Sequence, residues 1–520
     1  MVEINLKPRI RVKAGSVKST MSASRDPYLQ TGALGGTPDF GRVGGRRGPE
    51  IQGLHTGPTM TNIASAAVAR QRSRFAVLTN PHAKRAVDVL VSNVVGSGHR
   101  LVSLAPDPEL KRQIEDLWNE WVVVADSQEQ FDFYGLQALA FRSMIEGGEC
   151  FARMRMRRPE DGLSVPMQIQ LIEAEQCPIH MNERRGMNSV ISGIEINPIS
   201  RPVAFHLYQE HPGDFGFFFH NPSIETVRVD ARDILHLHEV RRPNSMRGLP
   251  WLSQVLVALT DIDRYLDAEL TRKKAAALIS GILTQPFDAE PDENPFMTGA
   301  SAVRQNEVEI EDMEPGTLTV VPAGWDVKFL TPTDVGANFD KFMRQQLLSV
   351  CAALNITYEQ LTGDLKEAND RTIRASMLEF KRMARAYQRN ILVHQFCRRV
   401  FDRFIEVALI SGRLALPSGV TIAQAKKARW MPDPWEYLNP TQEITAKKDQ
   451  MRAGLISRTQ AIIERGDDPE DIDNQIAADR EREKRLGLVF DTDAGSVSRS
   501  GTVHHQSPLE LEDEEDSNDA

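Results

Sequence analysis

LPWLSQVLVALTDIDRYLDAELTRKKAAA, residues 249–277, decides how the rest of the chain is read. From Trp251 to Ala277, Val255, Leu259, Ile262, Leu266 and Leu270 recur at the three- and four-residue steps of a buried helical stripe. Asp261, Asp263, Arg264, Asp267, Arg272 and Lys273 fall largely off it. A second helix is predicted over Asn338–Leu354, where Phe339, Phe342, Met343, Leu347, Val350 and Leu354 repeat the pattern. The residues between are too rich in Pro, Gly and polar groups to continue one helix. LTGDLKEANDRT (361–372) then reads as a polar loop leading into a long basic helix. Two helices that bracket an insert, with a loop aimed elsewhere, suit a part placed around an axis better than a catalytic pocket.

Working outward, 520 residues with 41% apolar content are ample for two to four domains with real cores. A formal net charge of −10 gives the whole chain no bulk attraction for nucleic acid. The ends are opposed in sign: the first 50 residues are basic, and 510–519 carries seven acids and no base. Cys150, Cys177, Cys351 and Cys397 are far apart and form no CxxC, so free thiols in a reducing compartment are expected. No run approaches the ~20 apolar residues of a membrane span. The N-terminus has Pro8 and charge where a signal peptide needs an apolar core, so a soluble, cytosolic chain is expected.

Residues 1–60 are rich in Gly and Pro and read as a disordered arm. NPHAKRAVDVLVSNVVGSG (80–98) opens with Asn80 and Pro81 as N-cap and first helical residue, and Gly96 and Gly98 end it. A further helix is expected over 108–123, anchored by Trp118 and Trp121. In 132–158 the period changes from helix to strand at Gly147–Gly148, with alternation from Cys150 to Arg157. Strands are predicted at 167–175, at 192–208 with a turn at Asn197–Pro198, and at 227–240 with a break at Asp230–Asp233. Residues 75–240 thus read as an α+β domain with an antiparallel sheet of short strands. The longest helix is 371–414, where Met377, Phe380, Ala384, Tyr387, Ile391, Phe396, Val400, Phe404 and Val407 hold the period. Short helices are expected within 430–488 and a disordered acidic tail over 489–520.

No catalytic signature is present: no phosphate-cradling GxxxxGK[ST], no GxSxG, no HExxH. Without the first of these, ATP-driven motor activity drops out. In His236-Leu237-His238-Glu239 the two histidines would share one face of a strand and could reach a common ion, but no Cys or third His stands close in sequence. Asp261 and Asp263 diverge by about 200° on a helix and do not make half a metal pair. Arg371, Arg374, Lys381, Arg382, Arg385 and Arg389 could neutralise phosphates, or pair with acids on another subunit.

In order and spacing, NPHAKRAVDVLVSNVVGSG, Trp118 with Trp121, LQALAFRSMIEGGECFARMRMR, QIQLIEAEQC, DILHLHEVRRPNSMRGLPWLSQVLVALTDIDRYLDAEL, EPGTLTVVPAGWDVKFLTPT, ITYEQLTGD and MRAGLISRTQAIIERGDDPEDI together resemble the lambda-type portal proteins of tailed bacteriophages. The resemblance implies an α+β portal fold and a homododecameric ring at the capsid vertex, through which DNA is packaged and ejected. Residues 75–240 would be the wing and 249–280 the first stem helix. An α/β clip would span 281–335, and the second stem helix 336–360. A channel loop would follow at 361–370, the long basic helix of wing and crown at 371–414, and crown helices at 430–488. The implied partners are the terminase large subunit, head–tail connector proteins, major capsid and scaffold proteins, and non-specific double-stranded DNA, with no membrane. The implied location is the virion, with the host cytoplasm during assembly. No catalytic residue, metal or cofactor is implied. Channel-facing candidates are Asp261, Asp267, Gly363, Asp364, Lys366, Glu367, Asn369, Arg371 and Arg374. Two other readings remain beside it: a metal-dependent enzyme using His236 and His238, and a nucleic-acid-binding scaffold using the basic helix.

Overall fold

A computed structural model describes residues 57–214, 225–278, 282–284, 326–328, 336–366, 369–435 and 439–488. The expected arm up to residue 56, most of the 281–335 insert, Glu367 and the tail beyond 488 lie outside the described residues.

Helix α1 (Pro58–Thr79) is not among the expected elements, and it begins inside the stretch read as arm. Helix α2 (Pro81–Val94) starts where Asn80 caps it: the Ala83 N–H donates to Asn80 Oδ1 at 2.9 Å. Strand β1 (Arg100–Ser103) follows, then α3 (Pro108–Val123), capped by Asp107, whose carboxylate accepts from the Leu110 N–H. Helix α4 (Phe133–Gly147) runs into β2 (Glu149–Met156). The start of β2 buries Glu149, Cys150, Phe151 and Ala152 in succession, because both of its faces are covered there; the expected alternation appears only at its far end.

Strands β3 (Met167–Glu173), β4 (Glu183–Arg185), β5 (Asn188–Ile191), β6 (Ile194–Ile196), β7 (Pro202–Leu207), β8 (Val227–Asp230) and β9 (Ile234–His238) complete the sheet-forming stretch. Their ladders are antiparallel: β4-β5-β6-β7-β8 form one sheet, and β2 pairs with β9.

The predicted helix at 251 opens as a 3₁₀ turn, Trp251–Gln254, held by the Ser253 hydroxyl donating to the Pro250 carbonyl at 2.6 Å. Regular helix α5 is Leu256–Leu278. Val255, Leu259 and Ile262 are buried as expected, but Leu270 is 52% exposed. The stripe is covered only where the helix leaves the body of its unit. Strands β10 (Ile282–Thr284) and β11 (Asp326–Lys328) pair antiparallel across the insert. Helices α6 (Gly336–Leu354), α7 (Tyr358–Thr362) and α8 (Asp370–Tyr387) follow.

The long helix is three pieces. After α8 a π-helical stretch, Gln388–Cys397, leads into α9 (Arg398–Ile410). The five-residue step from Ile391 to Phe396 needs that wider turn to keep both side chains inside. Gly412, at φ 70°, supplies the left-handed residue after its end. Helix α10 (Ile422–Ala425), β12 (Ala428–Met431), α11 (Pro440–Arg452), α12 (Arg458–Glu464) and α13 (Pro469–Leu486) close the described chain.

Contacts divide the chain into two compact units. The first takes residues up to Leu90, Arg142–Arg153 and Leu171–Met383; its sheet core is Phe151, Ile172, Cys177, Ile194, Phe205, Leu207, Val229 and Ile234. The second takes Val91–Phe141, Met154–Gln170 and Ala384 onward. Its centre is aromatic: Trp118 lies 4.9 Å from both Trp121 and Phe404, and Phe133 stacks on Phe396 at 5.7 Å. The buried indole N–H of Trp121 donates to the Met167 carbonyl at 2.7 Å. Strand β1 pairs with β12 in this unit.

Candidate functional site

The polar loop is built by local bonds rather than by a core. Thr357 and Gln360 form a capping box for α7, and Gly363 ends it at φ 73°. The Asp364 N–H donates to the Thr362 hydroxyl at 3.2 Å, and the Lys366 N–H to Asp364 Oδ1 at 3.1 Å. Asn369 then starts α8: the Arg371 N–H donates to its Oδ1, and the Thr372 hydroxyl to its carbonyl. Lys366, Asn369 and Arg371 are exposed and Arg374 is partly covered. Gly363, Asp364, Lys366, Asn369 and Arg371 thus follow one another along one short segment, all exposed except the half-buried Asp364. Glu367 lies outside the described residues.

The acids of α5 do not form one wall. Both carboxylate oxygens of Asp263 accept from the Asn80 amide nitrogen, each Oδ 2.9 Å from Nδ2. Glu269 is paired with Arg272 at 2.7 Å. Asp261 and Asp267 are both exposed, but six residues at 100° each leave them about 120° apart around the helix. Asp261 borders a groove shared with Phe75 of α1. Two nearby cations rest on rings: Lys273 over Phe339 at 5.7 Å and Arg344 over Tyr358 at 4.9 Å.

The histidine pair is part of a buried charge cluster that the sequence did not announce. His236 and His238 stack at 4.1 Å, and His236 Nε2 lies 2.9 Å from Glu149 Oε2. Glu149, fully buried, also accepts from Arg70 at 2.9 Å, from Arg247 Nε at 2.7 Å and from the Gly248 N–H at 3.2 Å. Burial pushes the Glu149 carboxyl up, but Arg247, His236 and Arg70 overcome it and hold it well below the usual carboxylate range. Arg247 donates further to the carbonyls of Ala174, Cys177 and Ser192. Burial and the neighbouring His236 bring His238 down to about 3. The cluster ties the root of α5 to the sheets of the first unit and leaves Glu149 no lone pairs to spare for an ion. The signal available in sequence was a lone acid opening an apolar strand, at GGECFA (147–152), with an Arg-Gly pair at 247–248.

Among the described residues, the group whose donors could share a cation is Glu173, Glu175 and His211. Arg74 already stands 3.1 Å from Glu173 and 2.7 Å from Glu175, so a cation is present without a metal.

The family model described as phage portal protein, lambda family, matches residues 45–388. The chain belongs to that family. Its members are structural assembly proteins and not enzymes, and this one is a portal protein of a phage-type particle. A curated relative, the probable portal protein of Halomonas phage phiHAP-1, is 25% identical over 458 residues, covering 86% of each chain. Two solved chains, from the neck of a native gene transfer agent particle computed with C12 symmetry and from the neck of an empty one computed with C6 symmetry, superpose with TM-scores of 0.44 and 0.45. They are 14% and 15% identical to this portal chain, and each alignment covers 78% of it and 94% of the other.

Proposed function

We propose that twelve copies of this chain close into a ring at one capsid vertex, around a channel through which double-stranded DNA is packaged and ejected. The family match over residues 45–388 carries this reading, because it spans both central helices, the insert between them and the loop that follows. In this assignment 75–240 is the wing, α5 and α6 the stem, and 281–335 the clip that docks the terminase large subunit and head–tail connector proteins. The loop 361–370 lies against DNA. The α8–α9 helix and 430–488 form upper wing and crown, against capsid and scaffold proteins. Assembly takes place in the host cytoplasm, and the virion holds the finished ring.

Such a ring needs positioning and not catalysis. DNA must slide, so the channel has to avoid gripping phosphates, each of which would add a salt-dependent contact. Gly363, Asp364, Lys366, Glu367, Asn369, Arg371 and Arg374 would meet the duplex with bases and acids mixed, giving weak contacts on a loop held by its own turns. Asp267, on the free face of α5, would repel the backbone. Asp261 belongs to the groove beside α1 in this reading.

Native mass together with end-on negative-stain images of the purified protein tests the proposal. A dodecamer-sized particle with a central hole is expected. A compact monomer or dimer that neither salt nor capsid scaffold closes into a ring would overturn it.

A further inference from the structure

Helix α8 and the π-helical stretch after it run without a break from Asp370 to Cys397. Phe380, Ala384 and Ile391 mark the buried side. At about 100° per residue, Leu378, Arg382, Arg385 and Arg389 fall on the opposite side, in a stripe about 60° wide. All four are exposed, Leu378 at 61%. Arg385 lies over the Trp435 ring at 5.3 Å, and among the described residues none of the three arginines is in an ion pair. Between Leu378 and Asn390 the chain has four bases and one acid, Glu379. Glu464, which faces Arg385, already holds Lys447 at 2.7 Å. Beside Arg382 the surface dips into a concavity lined by Leu348, Phe380 and Met383, with Glu359 and Glu379 also on it.

The chain itself carries the complement of this face. Residues 509–519 read LELEDEEDSND: two leucines lead into five consecutive acids, Glu512–Asp516, with no base in the segment. Extended, those five acids cover about 13 Å. The rise from Arg382 to Arg389 is about 10 Å. With the acids along the arginines, the leucines arrive at Leu378 and the concavity. Residues 489–508 can carry the segment up to about 70 Å from Leu488. Duplex DNA offers the same negative charge, but a phosphate backbone has nothing to bury against Leu378 and the concavity. A tethered segment is also present at roughly millimolar effective concentration without being recruited.

We infer that residues 509–519 bind along the helix from Leu378 to Arg389 of their own subunit. Leu509 and Leu511 cover Leu378 and the concavity, and Glu512–Asp516 neutralise Arg382, Arg385 and Arg389. Arg371, three turns earlier on the same line, is left to the loop. The contact holds in a free subunit as in a ring, so its failure and the failure of the ring reading are separate results. The test uses the full chain with Leu378→Cys, Leu511→Cys and both together, treated with a short bismaleimide; the four native cysteines are all buried. Peptide mapping of the double variant is expected to show a link between positions 378 and 511 at monomer mass. That link should fall at least tenfold at about 1 M salt, where screening reaches down to ~3 Å. It should fall as far when Arg382→Glu and Arg389→Glu are added, with the far-ultraviolet circular dichroism unchanged. Ile410→Cys with Leu511→Cys reports a segment that merely roams, because Ile410 is 84% exposed on α9. Linkage at 410 equal to that at 378 would overturn the proposal, as would linkage that survives the two glutamates or occurs only in dimers. Salt-dependent binding of a short DNA duplex that the glutamates abolish, with no link between 378 and 511, would give the face to DNA instead.

Discussion

Gly248 has no room for a methyl group: a Cβ there would stand 2.0 Å from the Gly148 carbonyl oxygen. Gly148, at φ +90°, is equally closed in by the Leu249 backbone. The two glycines let two chain segments cross at the point where Arg247 enters the charge cluster. Gly248→Ala is expected to lower stability by more than about 4 kcal/mol, read as lost soluble yield or a fallen denaturant midpoint. Arg247→Leu leaves Glu149 with one guanidinium and takes a donor from each of three buried carbonyls, and should cost about 3–5 kcal/mol. Arg247→Lys keeps the charge but cannot fork to the same acceptors, so it should rescue only part of that loss. Recovery to wild-type stability in the lysine variant would show that charge alone matters.

His99, buried in the second unit, has both ring nitrogens without a hydrogen-bond partner. Burial brings its pKa down to about 4, against the pull of Asp433. The folded state therefore holds it neutral while the unfolded chain takes up a proton below about 6.5. Its full contribution is present above pH 6.5 and is lost as pH falls toward 4, roughly 3 kcal/mol in all at 1.36 kcal/mol per unit. His99→Gln should flatten the fall in urea midpoint between pH 6.5 and 4. An unchanged slope would mean that other groups carry the acid sensitivity.

At the scale of elements, what could be read in advance followed from local chemistry. Asp107-Pro108 and Asn80-Pro81 start α3 and α2 because a cap and a preset φ sit together, and structure and sequence agree on those starts. The five-residue step from Ile391 to Phe396 was visible as spacing, though only the structure shows it as π-helix. Strands β4 and β5 were not legible: Glu183–Arg185 and Asn188–Ile191 are short and polar, and form a hairpin around Gly186 at φ 59°. Helix α1 was missed for a different reason. Its buried face is Ala, Ser and Arg, so hydropathy points the wrong way. Of the candidate site, the loop was legible from its polar residues between two strong helices. The spread of the α5 acids was not, since periodicity gives a face but not the neighbour that covers it. Because the loop is held by its own turns, Lys366→Ala with Arg371→Ala is expected to leave ring assembly intact and to change DNA retention or packaging efficiency. Wild-type retention and packaging in that double variant would remove both residues from the DNA contact.

For the molecule as a whole, the two compact units are each drawn from three separate stretches of chain. The stretch 75–240, continuous in sequence, contributes to both. A fragment of 75–240 is therefore expected to lack the cooperative urea transition of the full chain, since it would leave Trp118 without Phe404 and Trp430 and Glu149 without Arg247. A sharp transition in that fragment would mean that its own contacts suffice.

The pairing of β1 with β12 bears on synthesis. Ser97 and Asp433, just beyond that ladder, are joined by two hydrogen bonds across 336 residues of chain. A ribosome delivers the first partner long before the second, and no local contact can stand in for the missing strand. The second unit can close only when translation has passed residue 433. A subunit cut short upstream of that point stays unfinished there, so completion of this unit reports that the chain has been read past Asp433.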